Sequence, residues 1–310
     1  METTQSALPT RQGRHTTRAL VALLILLIAA TSAGCRGPDP TERTATVRGA
    51  DGERTAIVYH PTTARPGAPL VVVMHGANGA AADVRKSLGW DALAERDGFV
   101  VAYPEALDKR WNAGFCCRRS DTPEVDDVGF LHELREKLIA EDDVDPRGVY
   151  AVGASNGGML AYAWACSKPD DLAGIAVVSG ALTVPCPDPP PISVVAVHGS
   201  NDEVVPPAGG LSVGGPGNNL SYPSLDEALA PFLAAASCPP RPEVQDTAGA
   251  EVAMWKCPDG RVIIRDIVKG KGHGWPGSGG NSGKSTAPTD PTGYIWFVFS
   301  RLRGLETPAG

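Results

Sequence analysis

The chain has 310 residues, 42% apolar and 20% charged, enough apolar content to bury a core, and this excludes intrinsic disorder. Its 36 glycines and 28 prolines make up about a fifth of the residues, under the roughly 25–30% of low-complexity chains, and they disfavour a coiled coil or helix bundle. The formal net charge is −7, and since residues 1–34 hold three arginines and one glutamate the remainder carries −9, the wrong sign for a nucleic-acid binder.

Residues 1–34 have the three regions of a secretory signal: a polar start with Arg11, Arg14 and Arg18, an apolar run from Ala19 to Ala30, and small residues before Cys35. Twelve apolar residues fall short of the about 20 that a spanning helix needs. Ser32-Ala33-Gly34-Cys35 resembles the bacterial lipobox, in which the cysteine is lipidated and becomes the mature N-terminus. Ordinary signal cleavage beside an incidental cysteine is the competing reading. The expectation is an exported protein, extracellular or held at a membrane by a lipid anchor alone. Residues 35–43 read as a flexible tether, 44–303 as one catalytic domain and 304–310 as a tail.

Thr44–Arg48 and Arg54–His60, either side of Asp51-Gly52, predict an antiparallel hairpin. Five continuous apolar runs follow, at Leu70–Met74, Phe99–Tyr103, Val149–Val152, Ile175–Val178 and Ile192–Val197, as expected of parallel strands covered on both faces. Val262–Val268 is the last strand. Helices are predicted over Val128–Glu141, Met159–Ala165 and Tyr294–Leu302, with Asp126 and Asp127 as N-cap candidates for the first. Strands alternating with helices indicate an α/β fold with a mostly parallel central sheet and helices on both faces.

Apart from Cys35 there are six cysteines: Cys116, Cys117, Cys166, Cys186, Cys238 and Cys257. An even number in an exported chain reads as disulfides. Proximity in sequence suggests Cys238 with Cys257 and Cys166 with Cys186. Adjacent Cys116 and Cys117 form either a vicinal bridge or two separate partnerships. A zinc site is the weaker reading, because there is neither a CxxC pair nor a nearby pair of histidines. No metal or organic cofactor is expected.

Gly153-Ala154-Ser155-Asn156-Gly157 follows a predicted strand and opens a predicted helix, the setting of a nucleophile elbow. A serine hydroxyl needs a base to take its proton. Of the six histidines, His15 lies in the signal, His60 in an early strand and His132 on a helix, while His75 and His198 end strands before glycines. His273 alone sits in a loop after the last strand. Asp202, chosen over Glu203, follows the strand ending at Val197 and would orient the imidazole. The order Ser155, Asp202, His273 is that of α/β-hydrolases. The amides of Asn156 and Ala77 are the expected oxyanion donors, and Trp111 and Trp275 are candidate walls for an acyl or aromatic group. The Gly/Ser/Asn/Pro-rich stretch from Gly277 to Thr289 is either a rim of the site or an uninvolved loop.

With these residues in view, the chain resembles exported polyhydroxybutyrate depolymerase-like and feruloyl-esterase-like proteins of the α/β-hydrolase fold. The resemblance rests on Leu70–Gly76, Trp111-Asn112-Ala113-Gly114 with Cys116-Cys117, Val125–Leu131, Asp145–Tyr150, Gly153–Gly158, His198–Pro206 and Gly272–Gly277. It implies hydrolysis of carboxylic esters with Ser155, Asp202 and His273 as triad and the amides of Ala77 and Asn156 as oxyanion hole. Members often carry cysteine where this chain has Ala77, but only the amide is used there. No separate substrate-binding module is evident, so soluble or oligomeric esters, aryl esters included, are as consistent with the sequence as solid polymer. The partner is a small or oligomeric ester, and the sequence leaves the oligomeric state open. A peptidase of the same fold and a non-catalytic surface-binding lipoprotein on a hydrolase scaffold are the alternatives.

Overall fold

The chain divides into two compact units, Met1–Asp39 and Pro40–Gly310. The structure, a computed structural model, describes residues 1–2, 40–49, 51–117, 125–277 and 291–302. Cys35, nearly all of the expected signal, residues 278–290 and the tail therefore lie outside the described residues. Every described helix and strand belongs to the second unit.

A hairpin opens the fold, formed by β1 (Thr41–Gly49) and β2 (Gly52–His60), paired antiparallel along their whole length. Three residues expected in the tether, Thr41 to Arg43, belong to β1, because the register extends the pairing to Thr41 opposite His60. Arg43 also reaches the carboxylates of Glu141 and Asp142. The chain continues through β3 (Ala68–Met74), α1 (Ala81–Leu88), α2 (Trp90–Asp97), β4 (Val100–Pro104), α3 (Asp127–Asp142), β5 (Val144–Ala154), α4 (Asn156–Ser167), β6 (Gly174–Val178) and β7 (Ser193–Gly199). After them come a short ribbon of β8 (Gly210–Leu211) and β9 (Ser221–Tyr222), then α5 (Leu225–Ala235), β10 (Glu243–Asp246), β11 (Ala250–Lys256), β12 (Val262–Val268) and α6 (Pro291–Leu302).

Ten strands form one sheet in the order β1-β2-β4-β3-β5-β6-β7-β12-β11-β10. The stretch from β4 to β12 is parallel and both margins are antiparallel. Side chains alternate along each strand. Leu70, Val72 and Met74 of β3 join one core with Leu134 of α3, Leu160 of α4 and Phe232 of α5. Val71 and Val73 join the other with Trp90 of α2 and Phe299 of α6. Helices cover both faces, which is the physical reason the central strands read as unbroken apolar runs.

Strand order reverses beside β3: the chain moves outward to β4 on one side, then returns to β5 and proceeds to β6 and β7 on the other. Loops leaving the carboxyl ends of β3 and β5 diverge to opposite faces and open a crevice there. Three disulfides fasten the loops: Cys116–Cys117, Cys166–Cys186 and Cys238–Cys257. The vicinal alternative is thus the one formed. The other two bridges join residues 20 and 19 apart, and closing loops of that size stabilises a fold by about 3 kcal/mol each in the chain-entropy model.

Candidate active site

Ser155 stands between the end of β5 and the first residue of α4, with φ 52° and ψ −120°, a left-handed conformation rarely adopted outside glycine. Its amide donates to Val178 O at 2.8 Å. The flanking glycines answer to contact as well as to the turn. A Cβ on Gly153 would lie 2.2 Å from the carbonyl carbon of Gly157, and one on Gly157 would lie 2.5 Å from the His75 carbonyl oxygen. Only hydrogen fits where the start of α4 presses on β3 and β5.

Sequence distance collapses at this point. His273 Nε2 lies 2.9 Å from Ser155 Oγ, and His273 Nδ1 lies 2.8 Å from Asp202 Oδ2. Nδ1–H donates to the carboxylate, which leaves Nε2 free to accept the serine hydroxyl proton. Asp202 is 3% exposed, and its Oδ1 accepts from the amides of Val204 and Val205 at 3.0 and 2.9 Å. Burial pushes this carboxyl up, but hydrogen bonds from His198 and His273, the charge of His273 and the Val205 amide outweigh it and hold the group well below the usual carboxylate range. It is therefore a permanent anion at neutral pH.

The loop carrying His273 is held against the ends of β6 and β7. The Asn201 amide donates to Lys271 O, and the Ser179 hydroxyl donates to Gly274 O at 3.1 Å while accepting from the Gly274 amide at 3.2 Å. Ser179, fully buried, gives no signal in the sequence because its partner is 95 residues away.

The expected oxyanion donors, Ala77 and Asn156, follow β3 and β5, neighbouring parallel strands of the sheet. Gly76, the residue before Ala77, packs so closely on the elbow that its Cβ would be 3.4 Å from that of Ser155. As the first residue of α4, Asn156 presents an amide with no acceptor inside its helix. Its side chain is committed elsewhere: Oδ1 accepts from the Trp111 amide at 2.8 Å and Nδ2 donates to Trp111 O at 3.1 Å. Trp111 Nε1 then donates to His75 O at 2.8 Å, and His75 Nδ1 lies 2.7 Å from Gly76 O. One network ties Asn156 to the His75-Gly76 turn that precedes Ala77.

This corrects the expectation for the tryptophans. Trp111 has no exposed surface and Trp275 is 7% exposed, so neither walls the crevice; Trp111 braces its floor and Trp275 packs in the core that contains Phe299. Burying so much ring area outweighs any gain from offering it to a ligand. The acid pair before α3 also divides. Asp126 caps the helix, accepting from the Gly129 amide, whereas Asp127 pairs with Arg54 at 2.7 Å and accepts from Asn112.

A mostly parallel sheet covered on both faces, with an elbow at its switch point, is the architecture of the α/β-hydrolases. The chain matches the acetyl xylan esterase from Aspergillus awamori with a TM-score of 0.59 at 16% identity, covering 84% of this chain and 99% of the other. The family model described as Esterase PHB depolymerase matches residues 54–205. The protein named "Putative esterase NocK" from Nocardia uniformis subsp. tsuyamanensis is 31% identical over 84% of this chain and 90% of its own. Feruloyl esterase B of Piromyces equi and poly(3-hydroxyalkanoate) depolymerase C of Paucimonas lemoignei are each 26% identical over 71% and 69% of this chain, but only 42% and 57% of their own lengths are matched. The chain belongs to the esterase PHB depolymerase family, a family of carboxylic ester hydrolases.

Proposed function

We propose that the protein is an exported serine esterase acting through an acyl-enzyme. The observation that carries this reading is the hydrogen-bonded series Ser155–His273–Asp202, with the backbone amides of Ala77 and Asn156 as the proposed oxyanion donors. Ser155 Oγ attacks the ester carbonyl as His273 Nε2 takes its proton, and the two amides receive the charge that develops on the carbonyl oxygen. His273 then protonates the departing alkoxide, which leaves as the alcohol. Water, activated by the same imidazole, releases the acid and restores the serine. Asp202 keeps the imidazole in the tautomer that accepts at Nε2 and stabilises the imidazolium.

The names of the relatives suggest the acyl groups to try: 3-hydroxybutyrate oligomers and aryl acids such as ferulate. Full-length chain produced in an oxidising compartment is assayed on 4-nitrophenyl acetate, 4-nitrophenyl butyrate, methyl ferulate and a 3-hydroxybutyrate oligomer, each with and without a serine-directed phosphonate. Phosphonate-sensitive turnover is expected, with Ser155→Ala lowering kcat by about 10⁴-fold or more while the circular dichroism stays unchanged. A folded protein inert to all four esters and unlabelled by the phosphonate would favour a binding lipoprotein, and preferential cleavage of amide substrates a peptidase. Export, which the three disulfides support, and lipidation at Cys35, which rests on the lipobox-like sequence before it, belong to the same proposal. Palmitate labelling that persists in Cys35→Ala would refute the anchor.

A further inference from the structure

His198, at the end of β7, is 1% exposed and plays no part in the proton transfers of the triad. Its Nε2 faces two acceptors at once, Val205 O at 2.7 Å and Asp202 Oδ2 at 3.1 Å. A ring nitrogen between two acceptors must carry a proton. The opposite nitrogen, Nδ1, is buried with no hydrogen-bond partner, so every polar contact of this imidazole runs through Nε2, to Val205 O and Asp202 Oδ2. An ionised carboxylate offers about four lone-pair sites. In Asp202 they meet three full donors, the Val204 and Val205 amides on Oδ1 and His273 Nδ1 on Oδ2, and a fourth that is divided: His198 Nε2–H donates to Val205 O at 2.7 Å and lies 3.1 Å from Oδ2.

We infer that His198 is a positioning residue of the esterase, whose Nε2–H fixes the orientation of the Asp202 carboxylate and moderates its charge toward His273. The inference rests on the proposed triad. Oδ2 is shared between the two imidazoles. Without His198 the carboxylate keeps one open lone pair in a buried place and can rotate about its last bond, and the His273 ring loses the acceptor geometry that aims Nε2 at Ser155. At the same time the undiluted charge on Oδ2 favours protonated His273 more strongly. The catalytic base is then lost at a higher pH than in the parent. Other ionisable groups near this cluster are exposed Glu203 on the Asp202 loop, buried Lys271 on the His273 loop, whose carbonyl accepts from the Asn201 amide, and the Tyr222 hydroxyl of β9, which burial and the Asp202 charge push up to about 12. Tyr222 is therefore uncharged through the range of interest.

Three variants separate positioning from packing. H198F keeps a ring of similar shape and removes the donor, H198N carries its amide only as far as the Nδ1 position, and H198Q returns an N–H to the Nε2 position. With 4-nitrophenyl butyrate, H198F and H198N are expected to lose about tenfold in kcat with KM little changed, and to shift the acid limb of the kcat/KM profile upward by about one pH unit. H198Q is expected to restore kcat to within about threefold of the parent and to return the limb to its place. Should H198F fail to fold, the contrast of H198N with H198Q carries the test. The downfield proton resonance of His273 Nδ1–H gives the same comparison without a substrate, its titration midpoint moving upward in H198F and H198N and not in H198Q. An unmoved limb and midpoint in the donorless variants, or equal losses in all three, would overturn the inference. Absence of turnover and of phosphonate labelling in the parent would instead overturn the triad reading, and the resonance would still report on His198.

Discussion

Asn156 shows how one residue can serve two tasks through two groups. Its amide is the proposed oxyanion donor, while its fully buried side chain holds the Trp111 backbone by a reciprocal pair of hydrogen bonds. Asn156→Ala retains the amide and strips both partners from a buried peptide group, a loss of about 2 kcal/mol in stability. The variant is expected to show that fall in urea denaturation together with a roughly tenfold drop in kcat, as the amide loses its fixed direction. Unchanged kcat at reduced stability would mean that the network supports the fold and not the oxyanion site. Ser155, His273 and Asp202, the proposed triad, were legible as candidates because each sits in a short local pattern beyond a strand end. The roles of Trp111 and Ser179 were not, because what defines them is a contact with a remote segment.

Among the elements, α3 is tied to the hairpin by a charge pair buried on both sides. Arg54 of β2 and Asp127 of α3 have side chains 2% and 0% exposed, and the guanidinium stacks over Phe130 with 4.2 Å to the ring centroid. Removing one partner leaves a bare charge in the interior. Asp127→Ala is therefore expected to lose about 3–5 kcal/mol, and Arg54→Met with Asp127→Leu to recover most of it, as read from denaturation midpoints. A double variant no better than the single one would show that the pair itself is stabilising. Elements differ in how openly they announce themselves. Eight-residue α1 and α2, split by a left-handed Gly89, are too short for a helical period to stand out. Helix α5 carried a readable signal, since Ser224 and Glu227 form a capping box, but Pro231 inside it argues against a helix. Strands β10 and β11 form a margin with mostly exposed or half-buried residues, so their apolar pattern is faint.

At the scale of the molecule, two buried carboxylates give the folded chain opposite responses to pH. Asp202 is stabilised as an anion, and its contribution is present above the ordinary carboxylate pKa of about 4 and fades as the pH falls below it. Asp266 of β12 behaves in reverse. Burial pushes it up to about 6, and its Oδ1 is buried without a hydrogen-bond partner. The folded state then binds more protons than the unfolded one between about pH 4 and 6, so this group's contribution falls as pH rises through that window. A rise of that size corresponds to at most about 3 kcal/mol. Asp266→Asn is expected to raise Tm at pH 8 and to leave it nearly unchanged at pH 4, as read by thermal denaturation in matched buffers. Equal effects at both pH values would remove the titration argument.

The sequence by itself determined the alternation of strand and helix, the parallel sheet covered on both faces, the elbow around Ser155 and the order of the three site residues. Each of these is a local matter of side-chain period, glycine spacing or turn chemistry. Tertiary structure alone decided that Cys116 bridges Cys117, that Trp111 and Trp275 are buried, that Asp127 belongs to Arg54, and that a second histidine lies against the Asp202 carboxylate. Those outcomes depend on which strand ends meet at the switch point, and a hydrogen bond formed across 118 residues, as between His273 and Ser155, leaves no period or spacing in the chain that would announce it.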